Sequence, residues 1–98
     1  MAKVQKVILR SPDAGVFYGE ILEKDDTIRT VTLKNARQIW SWEGAATLMQ
    51  LAKYGSSKPE SCKLTVTVDS IGIYNVSEII PCTKEAMTNL DSIVEWRE

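Results

Sequence analysis

Residues 34–55 contain the residue types and spacings that point most directly to binding chemistry. Arg37 lies three residues before Trp40 and five residues before Trp42. A guanidinium beside indole faces is a recurring way to bind a planar base together with its phosphates. Lys34 supplies a second candidate cation. This pattern predicts a site for an aromatic, anionic ligand.

The same segment contains a predicted helix start that would face an anion. Small residues at Ala45 and Ala46 leave backbone N–H groups free, and the helix dipole favours negative charge there. Thr47 adds a hydroxyl, and Gln50 lies one turn further along the nearby face. Arg10 either joins this site or is the solvated end of the first predicted strand. The candidate ligand-binding residues are Arg10, Lys34, Arg37, Trp40, Trp42, Ala45, Ala46, Thr47 and Gln50.

These residues also have structural interpretations. Two tryptophans at positions i and i+2 of a strand usually anchor a core or an oligomer interface. An arginine on the opposite strand face is most often solvated or in an ordinary ion pair. The run Gly44-Ala45-Ala46 would also let a helix pack closely on a sheet. Residue spacing does not separate these alternatives from a ligand site.

Residues that usually carry catalysis are scarce. The chain has no histidine, so the commonest general base and metal ligand is missing. Cys62 heads an alternating segment and is expected to be a buried thiol, whereas Cys82 precedes a predicted helix start, where a thiol pKa can be lowered. Asp25 and Asp26 are typical of a turn, and no glycine-rich nucleotide motif is present. We predict a protein that is not an enzyme and that uses no metal and no cofactor.

Length and charge limit the classes of partner. The 98 residues suit one domain covering 1–98. With 13 acidic and 12 basic residues, the net charge is −1. Because there is no basic excess, we expect no direct binding of DNA or RNA and none of a membrane. The chain also lacks a signal-peptide layout and an apolar run of roughly 20 residues, so we expect it in the cytoplasm.

Hydrophobic periodicity predicts an α+β fold, mostly an antiparallel β-sheet or open barrel with two short helices. The continuous apolar run 7–9 is typical of a strand buried on both faces. Threonine, valine and isoleucine dominate the third predicted strand. The predicted strands are 3–10, 16–23, 27–34, 37–42, 62–68 and 71–81, and the predicted helices are 45–54 and 83–90.

The pattern also predicts several local features. Gly19 marks a bulge or a close backbone approach, and Asn35-Ala36 marks a kink or bulge. Asp69-Ser70 is expected to turn the chain, and the strand 71–81 to be interrupted near Asn75. We expect the tail 93–96 to dock as a last short strand.

Side-chain faces follow from strand alternation. Trp40 and Trp42 are predicted on one face of their strand, with Arg37 and Ile39 on the other. In the strand 62–68, the residues predicted to point inward are Cys62, Leu64, Val66 and Val68.

Several motifs together resemble a family of small phage and prophage proteins that carries a domain-of-unknown-function label. The motifs are Ala14-Gly15-Val16, Thr32-Leu33-Lys34-Asn35-Ala36-Arg37, Ile39-Trp40-x-Trp42-x-Gly44-Ala45, Leu48-x-x-Leu51-Ala52, Cys62-Lys63 and Glu78-Ile79-Ile80-Pro81-Cys82-Thr83. The resemblance covers nearly the whole chain, and the run from Asn35 to Ala45 is its most specific part.

This family is in turn similar to the anti-Thoeris sponge proteins, which bind cyclic ADP-ribose isomers without cleaving them. The resemblance implies a phage counter-defence protein in the host cytoplasm that sequesters a cyclic ADP-ribose isomer or a cyclic oligonucleotide. It also implies a homo-oligomer, from dimer to hexamer. In that role Arg37, Lys34 and residues 45–47 would face phosphates, and a tryptophan would stack on a base.

Two other functions fit the same sequence. One is a small protein-binding inhibitor of a host defence system, similar to an anti-CRISPR protein. The other is a structural, oligomerising phage protein in which the tryptophans lie at an interface.

Overall fold

The computed structural model describes residues 4–97. Within that range the chain forms a six-stranded sheet and two α-helices. The elements are β1 Lys6–Ser11, β2 Gly15–Asp25, β3 Thr30–Ser41, α1 Leu48–Tyr54, a 3₁₀ turn Pro59–Ser61, β4 Lys63–Leu64, β5 Val68–Ile73, β6 Glu78–Pro81 and α2 Lys84–Asp91. No helix in residues 4–97 is long and apolar enough to span a membrane.

All pairings between the strands are antiparallel, and the sheet is not closed into a barrel. The strand order is β4-β3-β2-β1-β6, and β5 also pairs with β3. β2 pairs with one edge of β3. The strands β4 and β5 therefore both pair with the other edge of β3, one after the other along its length. This arrangement confirms the predicted α+β class.

Apolar side chains form two clusters, one on each face of the sheet. The first lies under the helices and contains Ile8, Tyr18, Ile39, Leu48, Leu51, Ala52, Cys62, Leu64, Cys82, Ala86, Leu90 and Ile93. The second contains Val7, Leu9, Phe17, Val31, Leu33, Ala36, Ile73 and Val76. β1 contributes to both clusters, which confirms the prediction that run 7–9 is buried on both faces.

A β-bulge in β3 changes which residues face each cluster. The pairing shifts between Tyr18↔Arg37 and Glu20↔Lys34, so one residue of β2 opposes two residues of β3. Asn35 adopts the left-handed conformation with φ 49°. A Cβ on Gly19 would lie 3.1 Å from the backbone and side chain of Ala36, so the strands approach closely there. The predicted bulge and close approach are both confirmed.

Both helices begin at a threonine that accepts a hydrogen bond from the first turn. Thr83 accepts from the backbone N–H of Ala86 and confirms the predicted start of the second helix. Thr47 caps α1 by accepting from the N–H of Gln50. The first helix therefore starts at Leu48, and the prediction that it starts at residue 45 was wrong.

Other predicted boundaries also differ from the structure. The segments 27–34 and 37–42 belong to one bulged strand, because the ladder to β2 continues past Asn35. Asp69 and Ser70 lie inside β5 rather than in a turn. Val66 and Val68 are 48% and 40% exposed, so their predicted inward orientation was wrong.

The predicted interruption near Asn75 is confirmed, whereas the tail docks through one bridge and not as the predicted strand. Asn75 has φ 56° and lies between β5 and β6, where the sequence predicted that the strand 71–81 is interrupted. The tail forms a single parallel bridge, Leu64↔Glu95, and the N–H of Trp96 donates to the carbonyl of Leu64. Of the predicted first strand, Lys3 lies outside the described residues.

Gly55 ends α1 in a conformation that suits glycine. Its φ is 78°, and an added Cβ would lie 2.5–2.6 Å from side-chain atoms of Asn89. We predict that Gly55→Ala lowers the free energy of unfolding by about 1–3 kcal/mol in urea denaturation. Gly72→Ala is the control, since a Cβ there meets nothing within 4 Å. Equal effects of the two substitutions would contradict this account.

Candidate functional site

An open groove lies beside the start of α1, on the face of the sheet that the helices cover. Its volume is about 510 Å³. The lining residues are Arg10, Val16, Trp42, Ala46, Thr47, Leu48, Met49, Glu78 and Ile80. Six of these nine side chains are apolar, so the groove combines an apolar floor with a few polar groups, as small-molecule sites do.

Neighbouring residues of β1, β2 and β6 form the floor of the groove and its polar end, which consists of Arg10 and Glu78. Arg10 of β1 pairs with Val16 of β2 on one side and with Glu78 of β6 on the other. Residues that pair directly in antiparallel strands project on the same face. Two positions further along the pairing, and therefore on the same face, Ile80 lies beside Ile8. The floor is therefore built from the sheet itself.

The loop after β3 forms the opposite wall. β3 ends at Ser41, and Trp42 then packs against the apolar cluster under the helices. The indole Nε1–H of Trp42 donates to the carbonyl of Ala45 at 3.1 Å, which fixes the orientation of the ring. Trp42 is half-buried, so part of its ring remains open to the groove.

Buried polar contacts keep this loop in place. The Ser56 hydroxyl donates to the carbonyl of Glu43, and the N–H of Ser57 donates to the carbonyl of Gly44 at 3.1 Å. Gly44 has φ 80°, and a Cβ there would lie 2.5 Å from the backbone N of Lys58. Glycine is therefore required at this position for the two loops to approach each other.

Arg10 is the cation of the groove and is only weakly paired. Its Nη1 lies 3.9 Å from Oε1 of Glu78, and the two side chains are 56% and 47% exposed. Exposed pairs at this distance contribute little to stability. The guanidinium is therefore available to an incoming anion.

Two of the backbone donors at the start of α1 already have partners. The N–H of Ala46 donates to Oε1 of Gln50 at 2.9 Å, and the N–H of Gln50 donates to Oγ1 of Thr47 at 3.1 Å. These two groups form a reciprocal cap, similar to a capping box. The N–H of Ala46 is therefore not the free donor that the sequence predicted, and α1 has only seven residues.

Arg37 is buried away from the groove and bonded to backbone carbonyls. It is 8% exposed, and its Nε, Nη1 and Nη2 donate to Thr65, Leu90 and Leu64 at 2.9, 3.3 and 3.4 Å. Burial lowers the pKa of the Arg37 guanidinium, and nearby carboxylates oppose that shift. Because its donors link β3, the segment after β4 and α2, Arg37 stabilises the fold rather than contacting a ligand in the groove.

Lys34 and Trp40 also lie outside the groove. Lys34 pairs with Glu20 at 4.0 Å on the distal half of the sheet. Trp40 is 60% exposed and stacks on Trp96, with ring centroids 5.9 Å apart. The prediction that Trp40 and Trp42 share a strand face was wrong, because Trp42 lies beyond the end of β3.

The structure thus divides the nine sequence candidates into three groups. Arg10, Trp42, Ala46 and Thr47 line the groove. Ala45 and Gln50 fix the loop that carries its wall. Lys34, Arg37 and Trp40 lie elsewhere.

Sequence reasoning missed several groove residues, namely Val16, Leu48, Met49, Glu78 and Ile80. They lie on β2, α1 and β6, far apart in the chain. Only the pairing of Arg10 with both Val16 and Glu78 brings them together. The opposite charges of Arg10 and Glu78 were the one sequence signal for this contact. They were not specific, because the chain contains many other acidic residues that could pair with Arg10.

Both cysteines are free and buried, as predicted. Cys82 lies before α2, but burial raises its pKa to about 12. The sequence allowed a lowered pKa for this thiol at a helix start, and that expectation is wrong. Among residues 4–97, no group of three or more histidine, cysteine or acidic side chains is placed to bind a metal.

The chain belongs to the family described as domain of unknown function DUF6948, whose model matches residues 4–90. This family assignment agrees with the unknown-function part of the resemblance described above. No curated protein and no solved structure matches the chain.

The buried Arg37 generates a stability prediction. Arg37→Ala leaves the partly buried carbonyl of Thr65 without its donor and removes one donor each from the carbonyls of Leu64 and Leu90, which keep bonds from Trp96 and Ile93. We expect it to lower the free energy of unfolding by about 2–4 kcal/mol. Urea denaturation followed by tryptophan fluorescence measures the change. Lys34→Ala is the control, and we expect it to change stability by less than about 0.5 kcal/mol. Wild-type stability of Arg37→Ala would show that these bonds do not matter.

The raised pKa of Cys82 generates a pH prediction. The folded-state pKa of about 12 lies above the ordinary 9.0, so the folded state disfavours the thiolate. This contribution to stability is complete below pH 9 and is lost as the pH rises towards 12. Between pH 8 and pH 10, we expect Cys82→Ala to lose about 1 kcal/mol less stability than wild type. Identical pH profiles in urea denaturation would refute the effect.

Proposed function

We propose that this protein binds a nucleotide-derived small molecule in the groove and releases it chemically unchanged. The observation that carries the proposal is the placement of a half-exposed indole, Trp42, and a weakly paired guanidinium, Arg10, on the same apolar groove. A volume of about 510 Å³ lies within the usual range for small-molecule sites.

The apolar part of the groove suits a planar ring. The Trp42 ring is fixed by its bond to Ala45, so stacking on it costs little side-chain entropy. Val16 and Ile80 are half-buried and form a floor beside it. Met49 is 69% exposed and has a flexible side chain that can close over a bound ring.

The polar end suits an anion next to that ring. A phosphate accepts two parallel hydrogen bonds from a guanidinium, which outweigh the long contact between Arg10 and Glu78. The Glu78 carboxylate then remains beside the ligand, where it accepts hydrogen bonds from ribose hydroxyls or an amino group. A ligand with a sugar and few phosphates therefore fits better than a triphosphate.

In its most specific form, the proposal is phage counter-defence. The ligand would be a cyclic ADP-ribose isomer or a cyclic oligonucleotide made as an immune signal, and the protein would sequester it in the cytoplasm of the host cell. This form depends on the resemblance given by the motifs from Thr32 to Ala52. The chemistry of Arg10 and Trp42 supports it, since each such ligand carries bases, sugars and phosphates.

The proposal predicts a ligand-induced increase in thermal stability. We would screen cyclic ADP-ribose isomers, ADP-ribose, and cyclic di- and trinucleotides at about 100 μM, where a ligand with a dissociation constant near 1 μM adds about 2.7 kcal/mol. Calorimetry follows each hit, and chromatography after heat denaturation checks that the ligand is intact. We expect Arg10→Gln to weaken binding by at least about tenfold, the loss of one charge-assisted contact.

Lys34→Gln is the matched control, because it removes the same charge from an exposed residue outside the groove. It should bind like wild type. The proposal fails if none of these compounds stabilises the protein, or if Lys34→Gln weakens binding as much as Arg10→Gln does. Recovery of a cleaved ligand would instead identify an enzyme.

The stacked, exposed pair Trp40 and Trp96 favours a second candidate function, a protein-binding inhibitor. Exposed tryptophans are frequent anchors of protein interfaces. In any cellular assay of activity, loss through Trp40→Ser with Arg10→Gln still active would favour this function. The opposite result would favour the groove.

A further inference from the structure

We propose that the free edge of β5 pairs with β5 of a second copy of this chain, forming an antiparallel dimer through a continuous sheet. β5 pairs with β3 along one edge only among the described residues. Its other edge presents backbone N–H and C=O groups, which another strand can pair with. The site is separate from the groove, so it adds to the proposed function and does not depend on it.

The two free edges of the sheet differ in how well they are protected. β6 has four residues and ends at Pro81, which has no N–H to donate. β5 has six residues, contains no proline or lysine, and keeps one constant register with β3 from Val68 to Ile73. Lysine, proline, bulges and short length are the usual devices that prevent edge pairing. β5 therefore has the edge that is open to a partner strand.

The neighbouring part of this edge is already paired. β4 and β5 follow each other along the outer side of β3, and the tail pairs with β4 through the bridge Leu64↔Glu95. That pairing ends at Trp96, whose N–H donates to the carbonyl of Leu64. A strand added to β5 would continue along the edge where the tail stops.

The side chains around β5 are complementary to themselves in an antiparallel pair. A two-fold axis through Ser70 places Tyr74 opposite Val66 of the other copy, and an axis through Ile71 places Tyr74 opposite Val68. Tyr74, Val66 and Val68 are 73%, 48% and 40% exposed, so each has surface to bury. Aromatic and β-branched residues are favourable cross-strand partners.

The charges of β5 also permit self-pairing. Asp69 is the one charged residue in the strand. In neither register do the two copies of Asp69 lie directly opposite each other. They are diagonal neighbours with the axis through Ser70 and four positions apart with the axis through Ile71, so the second register separates the like charges better. Tyr74 and the two valines therefore make a second copy a better occupant than an unrelated acidic strand.

Sedimentation velocity from about 10 μM to about 500 μM tests the proposal, because pairing over one short strand gives a weak, concentration-dependent dimer. We expect Ser70→Lys to raise the dimer dissociation constant at least about tenfold, since it places two cations near the two-fold axis. Ser61→Lys introduces the same change at an exposed residue outside β5 and should dimerise like wild type. Circular dichroism checks that each variant is folded.

Tyr74→Ser provides a second variant that leaves the strand sequence intact, and it should also weaken the dimer. Hydrogen exchange of wild type should show slower exchange of β5 amides at the higher concentration. A wild-type monomer at every concentration would overturn the proposal. A dimer that tolerates both Ser70→Lys and Tyr74→Ser, without concentration-dependent protection of β5, would overturn it as well.

Discussion

The bulge at Asn35, opposite Gly19, is the constraint on which the rest of the structure depends. Before the bulge, Leu33 faces the cluster that β5 helps to cover, and after it Ile39 faces the helices. A strand without the bulge would place these two residues on the same face, because side chains alternate with a period of two. One strand thus contributes to both apolar clusters. The same shift directs Arg37 towards the helices, where it bonds to backbone carbonyls.

Polar groups on the helix side then connect the sheet to α2. The hydroxyl of Tyr18 donates to the carboxylate of Asp91 at 2.8 Å, and Lys6 pairs with the same carboxylate at 2.8 Å. Burial, followed by the bond to Asp91, raises the pKa of Tyr18 above its ordinary value. Together with Arg37, these contacts orient α2 on the sheet. The groove lies at the other end of this face, where Arg10 is exposed instead of buried.

The sequence predicted the sheet, both helices and the bulge because these have local signals: alternation, threonine caps, and asparagine next to a small residue. The sequence-based predictions failed for side chains whose position depends on contacts between segments far apart in the chain. Arg37 has the same local context whether it meets a ligand or three carbonyls, and only burial distinguishes the two. Glu78 joins Arg10 through a pairing between β1 and β6, which lie far apart in the chain. Trp42 was a sequence candidate and lines the groove, although the strand predicted to carry it ends one residue earlier.

The central claim is that a nucleotide-derived ligand stacks on Trp42 and not on the exposed pair Trp40 and Trp96. The chain has three tryptophans, and the indole N–H signals of all three can be followed in one ¹H–¹⁵N NMR titration. Titration with the ligand that stabilises the protein most should shift the Trp42 signal, with the Trp40 and Trp96 signals unchanged. A titration that shifts Trp40 and Trp96 and leaves Trp42 unchanged would contradict the account.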